Sequence, residues 1–246
     1  MRMVMELFVS LKHKIKNVMR YLRVKYISLK ILGKPDIQIR KRILILAPHP
    51  DDESIGCCGL IQRAIKERKD VYIIILTDGS ASLDDYAKNQ IINERRSLAR
   101  NVADRLNITK LFFLDFPDGK MRLNHPEVEK LHTLMKEIHP EQVFIPSHLE
   151  GWSDHVIVKR LIKELWSDIS EVYEYCVWFW YYFSLRIDWK STYVLRMTRN
   201  EHRNKKRILE YYTSSLSPQG NPWIGVLPSI LLRANIQKDE LYFKIK

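Results

Sequence analysis

Between residues 42 and 145, short runs of consecutive aliphatics alternate with stretches in which apolar positions recur every three or four residues. The runs "RILILA" (42–47), "VYIIIL" (71–76), "LFFL" (111–114) and "QVFI" (142–145) predict strands buried on both faces, since a strand with one wet face would alternate apolar with polar. Residues 55–68, 88–106 and 126–138 carry helical spacing; in the second, Ile91, Ile92, Leu98, Val102 and Leu106 mark the inner face. Strands alternating with helices in this way predict an α/β fold with a mostly parallel sheet and helices on both faces. Working residues in such sheets occupy the loops beyond the carboxyl ends of the strands. Here those loops are 48–54, 77–87, 115–125 and 146–155.

Past residue 165 the alternation fades. "EVYEYCVWFWYYFSLRI" (171–187) is aromatic and β-prone, 200–213 has helical spacing, and the tail mixes Pro and Gly with apolar residues. Residues 166–246 therefore read as an appended cap or as extra strands beside a core of 40–165. Ahead of the first strand, Phe8, Leu11, Ile15, Val18, Met19, Leu22, Tyr26 and Leu29 stack along one helical face. Lys12, Lys16, Arg20, Arg23 and Lys30 fall mostly on the other side, with Lys14 and Lys25 flanking the stripe. Gly33, Pro35 and Asp36 end the pattern, so residues 1–34 read as a helical extension of one domain at 35–246. No apolar run approaches the ~20 residues that span a bilayer, and nothing resembles a signal peptide.

Charge changes this picture only at one end. The formal net charge is +12, but residues 1–42 hold twelve Lys or Arg against two acids, and the other 204 residues hold 29 against 27. The body is nearly neutral, so nucleic acid is not an expected partner. A basic amphipathic helix suits an anionic membrane surface, through residues 1–32; packing on its own domain or on a second subunit of a homo-oligomer is the alternative. Three cysteines, two of them adjacent, make no disulfide framework. That points to a reducing, cytoplasmic setting, with peripheral attachment to the inner face of the membrane if the helix binds lipid.

Chemistry concentrates in "APHPDDE" (47–53), where a histidine and three acids follow the first strand. Three adjacent acids repel one another unless solvated or given a cation. His49 and Asp52 on a turn stiffened by Pro48 and Pro50 make a plausible pair of metal ligands, and imidazole with carboxylate favours zinc or another first-row dication. A third ligand must come from another loop: His155 or His148 after the fourth strand, with His125 and His139 weaker candidates. The plainer reading is a solvated turn in which Asp51 or Asp52 caps the following helix.

"APHPDDESIGCCG" (47–59) resembles the signature of the PIG-L / LmbE-like N-acetylglucosaminyl deacetylases, and "TDG" (77–79), "PDG" (117–119) and "DH" (154–155) follow in the family's order. The resemblance covers roughly residues 40–165. It implies a Rossmann-like fold, one zinc per chain, and removal of acetyl groups from an N-acetylated sugar, nucleotide sugar or lipid-linked sugar. Carried over by position, His49, Asp52 and His155 match the zinc ligands and Asp51 the general base. Such a ligand set leaves a fourth position for a water whose pKa zinc lowers to ~7.

The chain departs from the family at Trp152, where a histidine is usual; His148 is a substitute, and the indole is also a face for a sugar ring. Asp154 is placed to hydrogen-bond a ligand imidazole or to cap a helix. Arg95 and Arg96 in "NERRSLARN" (93–101) are candidates for substrate phosphate or hydroxyls, or for a solvated helix face. Asp78 and Asp118 are loop acids that shape the pocket or cap helices. Cys57 and Cys58 read as helix packing rather than thiolate ligands. Two other functions fit acids after a first strand: a Mg²⁺-dependent phosphoryl-transfer or receiver-like protein, and a non-catalytic membrane-associated glycan-binding module.

Overall fold

The computed structural model describes residues 2–80, 85–165, 171–180, 187–214, 233–237 and 239–246. The four aliphatic runs become β1 (Arg42–Ala47), β2 (Asp70–Thr77), β3 (Lys110–Phe116) and β4 (Gln142–Pro146), each within two residues of its expected bounds. The helices between them are α2 (Asp52–Lys66), α3 (Asp85–Leu106) and α4 (Glu127–Ile138), preceded by α1 (Arg2–Lys30) and followed by α5 (Ser153–Leu165). Helix α2 starts three residues earlier than its spacing suggests, because Asp52 and Glu53 form its first turn.

Beyond residue 165, three described strands extend the same sheet. β5 (Glu171–Tyr175) pairs parallel with β4, β7 (Asp239–Lys244) runs antiparallel to β5, and β6 (Thr192–Arg196) antiparallel to β7. The seven-stranded order is β3-β2-β1-β4-β5-β7-β6. Among the described residues of the aromatic run, only Glu171–Tyr175 is strand; Cys176, Val177, Phe179 and Trp180 then leave the sheet buried. Residues 181–186 of that run, 81–84 of the second loop and 215–232 of the tail lie outside the described residues.

Alternate residues of each strand feed opposite layers, which is why the runs are apolar throughout. Ile43, Ile45 and Ala47 face α2, α3 and α6 (Arg199–Ser214), while Leu44 and Leu46 face α4 and α5. Gly56 lets α2 approach the sheet, since a Cβ there would stand 2.3 Å from the ring of Tyr175. β1 pairs with β2 on one side and β4 on the other, so the chain reverses direction across the sheet at β1/β4. In open α/β sheets ligands bind at such a switch point, and here it lies at the carboxyl ends of the two strands whose loops carry His49 and His155.

Helix α1 packs by a different face from the stripe its periodicity marks. Val24, Ile27 and Ile31 are buried with Phe179, Trp180, Val194, Leu241 and Phe243. Leu11, Ile15, Val18, Leu22 and Leu29 are exposed. The linker sets this rotation: Pro35 O accepts from Val194 N (3.0 Å) and Ile37 N donates to Val194 O (2.9 Å), fastening the helix's end to β6. No described helix is long and apolar enough to cross a membrane.

Candidate metal centre

The turn after β1 is pinned to the end of β2, where Thr77 donates to Pro48 O from its backbone N (2.9 Å) and its hydroxyl (2.7 Å). Its three acids have three separate environments. Glu53 turns into the core, where its carboxylate accepts from Tyr212 Oη (2.7 Å), Ser54 Oγ (2.7 Å) and Asp51 N (3.1 Å). Asp52 faces two imidazoles: its Oδ2 lies 3.1 Å from His49 Nδ1 and 3.5 Å from His155 Nε2, and it accepts from His49 N at 3.0 Å. Asp51 stands 3.6 Å from Arg95 Nη2. Its backbone is at φ 143°, a region non-glycine residues seldom occupy. Neither acid caps α2 in the way the plainer reading expects, for Asp51 is the N-cap without a side-chain capping bond and Asp52 already lies in the first turn.

The two histidines are gripped from behind. Buried Glu150 takes His155 Nδ1 at 2.7 Å and accepts from Val177 N (2.5 Å) and Phe179 N (3.0 Å) through its other oxygen. In the neutral ring a proton on Nδ1 leaves Nε2 as a lone-pair donor, and that atom is buried without a hydrogen-bond partner among the described residues. His49 Nε2 lies 3.0 Å from Asp118 Oδ1 and 3.3 Å from Asp154 Oδ2. Asp154 itself accepts from Gly119 N (2.7 Å) and Met121 N (3.3 Å), tying the loop after β3 to α5.

Burial works against charge on these imidazoles, yet the carboxylates outweigh it. Asp52 and Glu150 bring His155 up to about 9, and Asp118, Asp154 and Asp52 carry His49 well above the ordinary imidazole value. Burial alone would raise Asp52, but His155 and His49 hold it well below the usual carboxylate range. Burial pushes Asp51 up to about 7 against the pull of Arg95. The pocket is thus built for positive charge at its centre. Among the described residues, two sets of donor atoms lie within 4.8 Å of one another, His49–Asp52–His155 and His49–Asp118–Asp154. The first fits a metal better, because it contains the unpartnered Nε2, whereas Asp154 already serves two backbone N–H groups.

A family model described as "GlcNAc-PI de-N-acetylase", PIG-L, matches residues 44–166, half of the chain. The chain belongs to the PIG-L family. Diacetylchitobiose deacetylase of Thermococcus kodakarensis is 29% identical over an alignment of 136 residues that covers 51% of this chain and 51% of that one, so the match spans about half the length of that curated relative. Among solved structures, N,N'-diacetylchitobiose deacetylase from Pyrococcus horikoshii superposes with a TM-score of 0.63 at 17% identity, covering 83% of this chain and 84% of that one. A deacetylase of the teicoplanin biosynthetic pathway gives 0.66 at 15%, covering 82% and 97%. The two structures share the fold, an α/β architecture with helices on both faces of the sheet.

Other expected site residues of this PIG-L chain are placed as follows. Arg95 donates to Gly79 O (2.8 Å) and Pro50 O (3.1 Å), bracing the acidic turn; a Cβ at Gly79, whose φ is 71°, would meet its guanidinium at 3.0 Å. Asp78 Oδ1 accepts from Ser80 N (3.0 Å) and Oγ (2.7 Å), shaping the "TDGS" turn. Arg96 turns to Asp115 (2.5 Å) and lies over Phe113. His148 pairs with Glu174 (2.7 Å) and Lys159 (3.0 Å) and lines a separate cavity of about 1060 Å³ with Val172 and Phe243. It therefore does not stand in for the family histidine. Trp152 is 40% exposed, packed 5.2 Å from the ring of Trp178. His125 accepts from Glu127 N at the start of α4, and His139 ends that helix at φ 48°. Burial raises the Cys58 thiol to about 12 and Cys57 well above its ordinary value, as suits packing rather than metal binding. Glu150, the buried acid behind His155, is not among the expected site residues. The rule that a ligand imidazole needs an acceptor behind it would have prompted a search for an acid near His155.

Proposed function

We propose that the chain hydrolyses the N-acetyl amide of an amino sugar or glycoconjugate, with one zinc held by His49, Asp52 and His155 and with Asp51 as general base. The observation that carries this reading is His155 Nε2, buried 3.5 Å from Asp52 Oδ2 and without a hydrogen-bond partner among the described residues. Such an atom costs about 1–3 kcal/mol unless a ligand uses it. Two imidazoles and a carboxylate suit zinc. When bound, zinc supplies a Lewis acid that polarises an amide carbonyl and acidifies water.

The chain's own groups do the rest. Asp51, beside the ligands and clear of the Asp52–histidine contacts, takes the proton of the attacking water and returns it to the departing amine. Arg95 fixes the turn that carries Asp51 through Pro50 O and Gly79 O. Glu150 and Asp154 hold the imidazoles so that a lone pair of each points inward. The Trp152–Trp178 pair offers aromatic surface at the entrance to α5, suited to a sugar ring. An N-acetylated sugar as substrate draws further support from the deacetylase relatives of Thermococcus and Pyrococcus, both named for diacetylchitobiose. Phosphoryl transfer gives the buried His155 no task.

Acetate release from N,N'-diacetylchitobiose and N-acetylglucosamine tests this. The wild-type chain with one equivalent of zinc should release acetate, and Asp51→Asn should do so about 10²–10⁴-fold more slowly with its zinc content intact. Equal rates for the two proteins would remove Asp51 from the mechanism.

A further inference from the structure

Helix α1 is apolar on two opposite sides. Val24, Ile27 and Ile31 face the body, and Arg23 Nη2 anchors that side by donating to Phe179 O at 2.9 Å. At 100° per residue, Leu11, Ile15, Val18, Leu22, Tyr26 and Leu29 form a second stripe roughly half a turn away. These side chains are at least half exposed, from Tyr26 at 50% to Leu29 at 68%. By register Lys14 and Lys25 border one edge of the stripe and Lys30 the other, and all three are exposed. Between Glu6 and Asp36 the chain holds eight Lys or Arg and no acid.

We propose that this outward stripe seats in the surface of an anionic phospholipid bilayer. A continuous apolar face of this length on a water-exposed helix needs a cover. A second copy meeting it symmetrically would set lysine against lysine with no carboxylate on either side. Anionic headgroups supply the missing charge, acyl chains take Leu and Ile, and the bordering lysines reach up to the phosphates while their stems stay on the apolar face. The helix is too polar to cross the membrane and lies flat on it. Its buried side grips Phe179 O, and the backbone N–H of the same residue bonds Glu150, so one residue links the docked helix to the carboxylate behind His155. The proposal stands whether or not the metal centre is hydrolytic.

Flotation of the full chain with vesicles of phosphatidylcholine containing phosphatidylglycerol, against phosphatidylcholine alone, is the test. Binding should require the anionic lipid. Lys14→Gln, Lys25→Gln and Lys30→Gln together should weaken it about a hundredfold, at about fivefold per charge. Ile15→Gln, Leu22→Gln and Leu29→Gln together should abolish it while leaving the far-ultraviolet circular dichroism and Tm unchanged. A polarity-sensitive dye on Leu22→Cys, the native cysteines being buried, should shift to the blue on addition of anionic vesicles. Wild-type flotation by either triple variant, or no dye shift, would overturn the proposal. So would a full-length dimer in sedimentation that the apolar triple variant converts to monomer without any vesicle binding.

Discussion

Glu150→Gln isolates the least conspicuous part of the site. The carboxylate spends one oxygen on His155 Nδ1 and the other on two backbone N–H groups, of Val177 and Phe179. An amide of the same shape cannot accept on both sides. If its oxygen stays on the two backbone groups, its NH₂ meets His155 Nδ1, which must give up its proton; the ring proton then moves to Nε2, the atom needed for metal. If the amide turns over, two buried N–H donors face a third, at about 1–3 kcal/mol each. The first arrangement is the less costly, so the variant should keep its Tm within a few degrees and lose zinc affinity about 10–100-fold, or about 1.4–2.8 kcal/mol. Competition against a chromophoric chelator measures it. Glu174→Gln is the control, because Glu174 stands behind His148, which faces the other cavity. Wild-type zinc affinity in Glu150→Gln, or an equal loss in Glu174→Gln, would refute the assignment of Glu150 as the group that orients a ligand.

Gly56→Ala should destabilise the fold by about 3 kcal/mol in urea unfolding, because the new methyl would meet the buried Tyr175 ring at 2.3 Å and that ring is tethered through its hydroxyl to Leu46 O at 2.9 Å; a loss under about 1 kcal/mol would show that α2 can shift freely. Glu201 closes a capping box with Thr198 at the start of α6 and takes Arg63 bidentately at 2.6 and 2.7 Å. Burial would raise its pKa, but Arg63 and the Thr198 N–H lower it below the usual value. A lowered folded-state pKa contributes stability above the unfolded-state value of about 4.3 that disappears as pH falls through the folded one. Glu201→Gln should therefore cost about 2 kcal/mol at pH 7 and progressively less below pH ~4; a pH-independent difference in chemical denaturation would mean the charge contributes nothing.

The first four strands and the grouping of His49, Asp52 and His155 were legible because each rests on local pattern: continuous aliphatics for two-faced burial, and motifs at strand ends for convergence at a sheet edge. Asp154 and Asp118 were named from their loops, but their meeting at His49 Nε2 depends on the order in which strands lie side by side. Glu150 reads in "SHLEGWSDH" as one more solvated loop acid, since the backbone groups that bury it come 27 and 29 residues later. The Glu53–Tyr212 bond, which joins the acidic turn to α6, spans 159 residues and leaves no local trace. In α1 the periodicity is real and its orientation is not contained in it. Three residues at the helix's end, Val24, Ile27 and Ile31, fastened by the Pro35–Ile37 bridge to β6, outvote the longer stripe.

Anomalous scattering at the zinc edge, from crystals of the full chain grown with one equivalent of zinc, tests the metal centre most directly. One peak is expected at about 2.0–2.3 Å from an imidazole nitrogen of His49, a carboxylate oxygen of Asp52 and Nε2 of His155, with Asp51 beside it. A peak between His49, Asp118 and Asp154 instead, or no peak in the crevice at all, would contradict the assignment of ligands and base together.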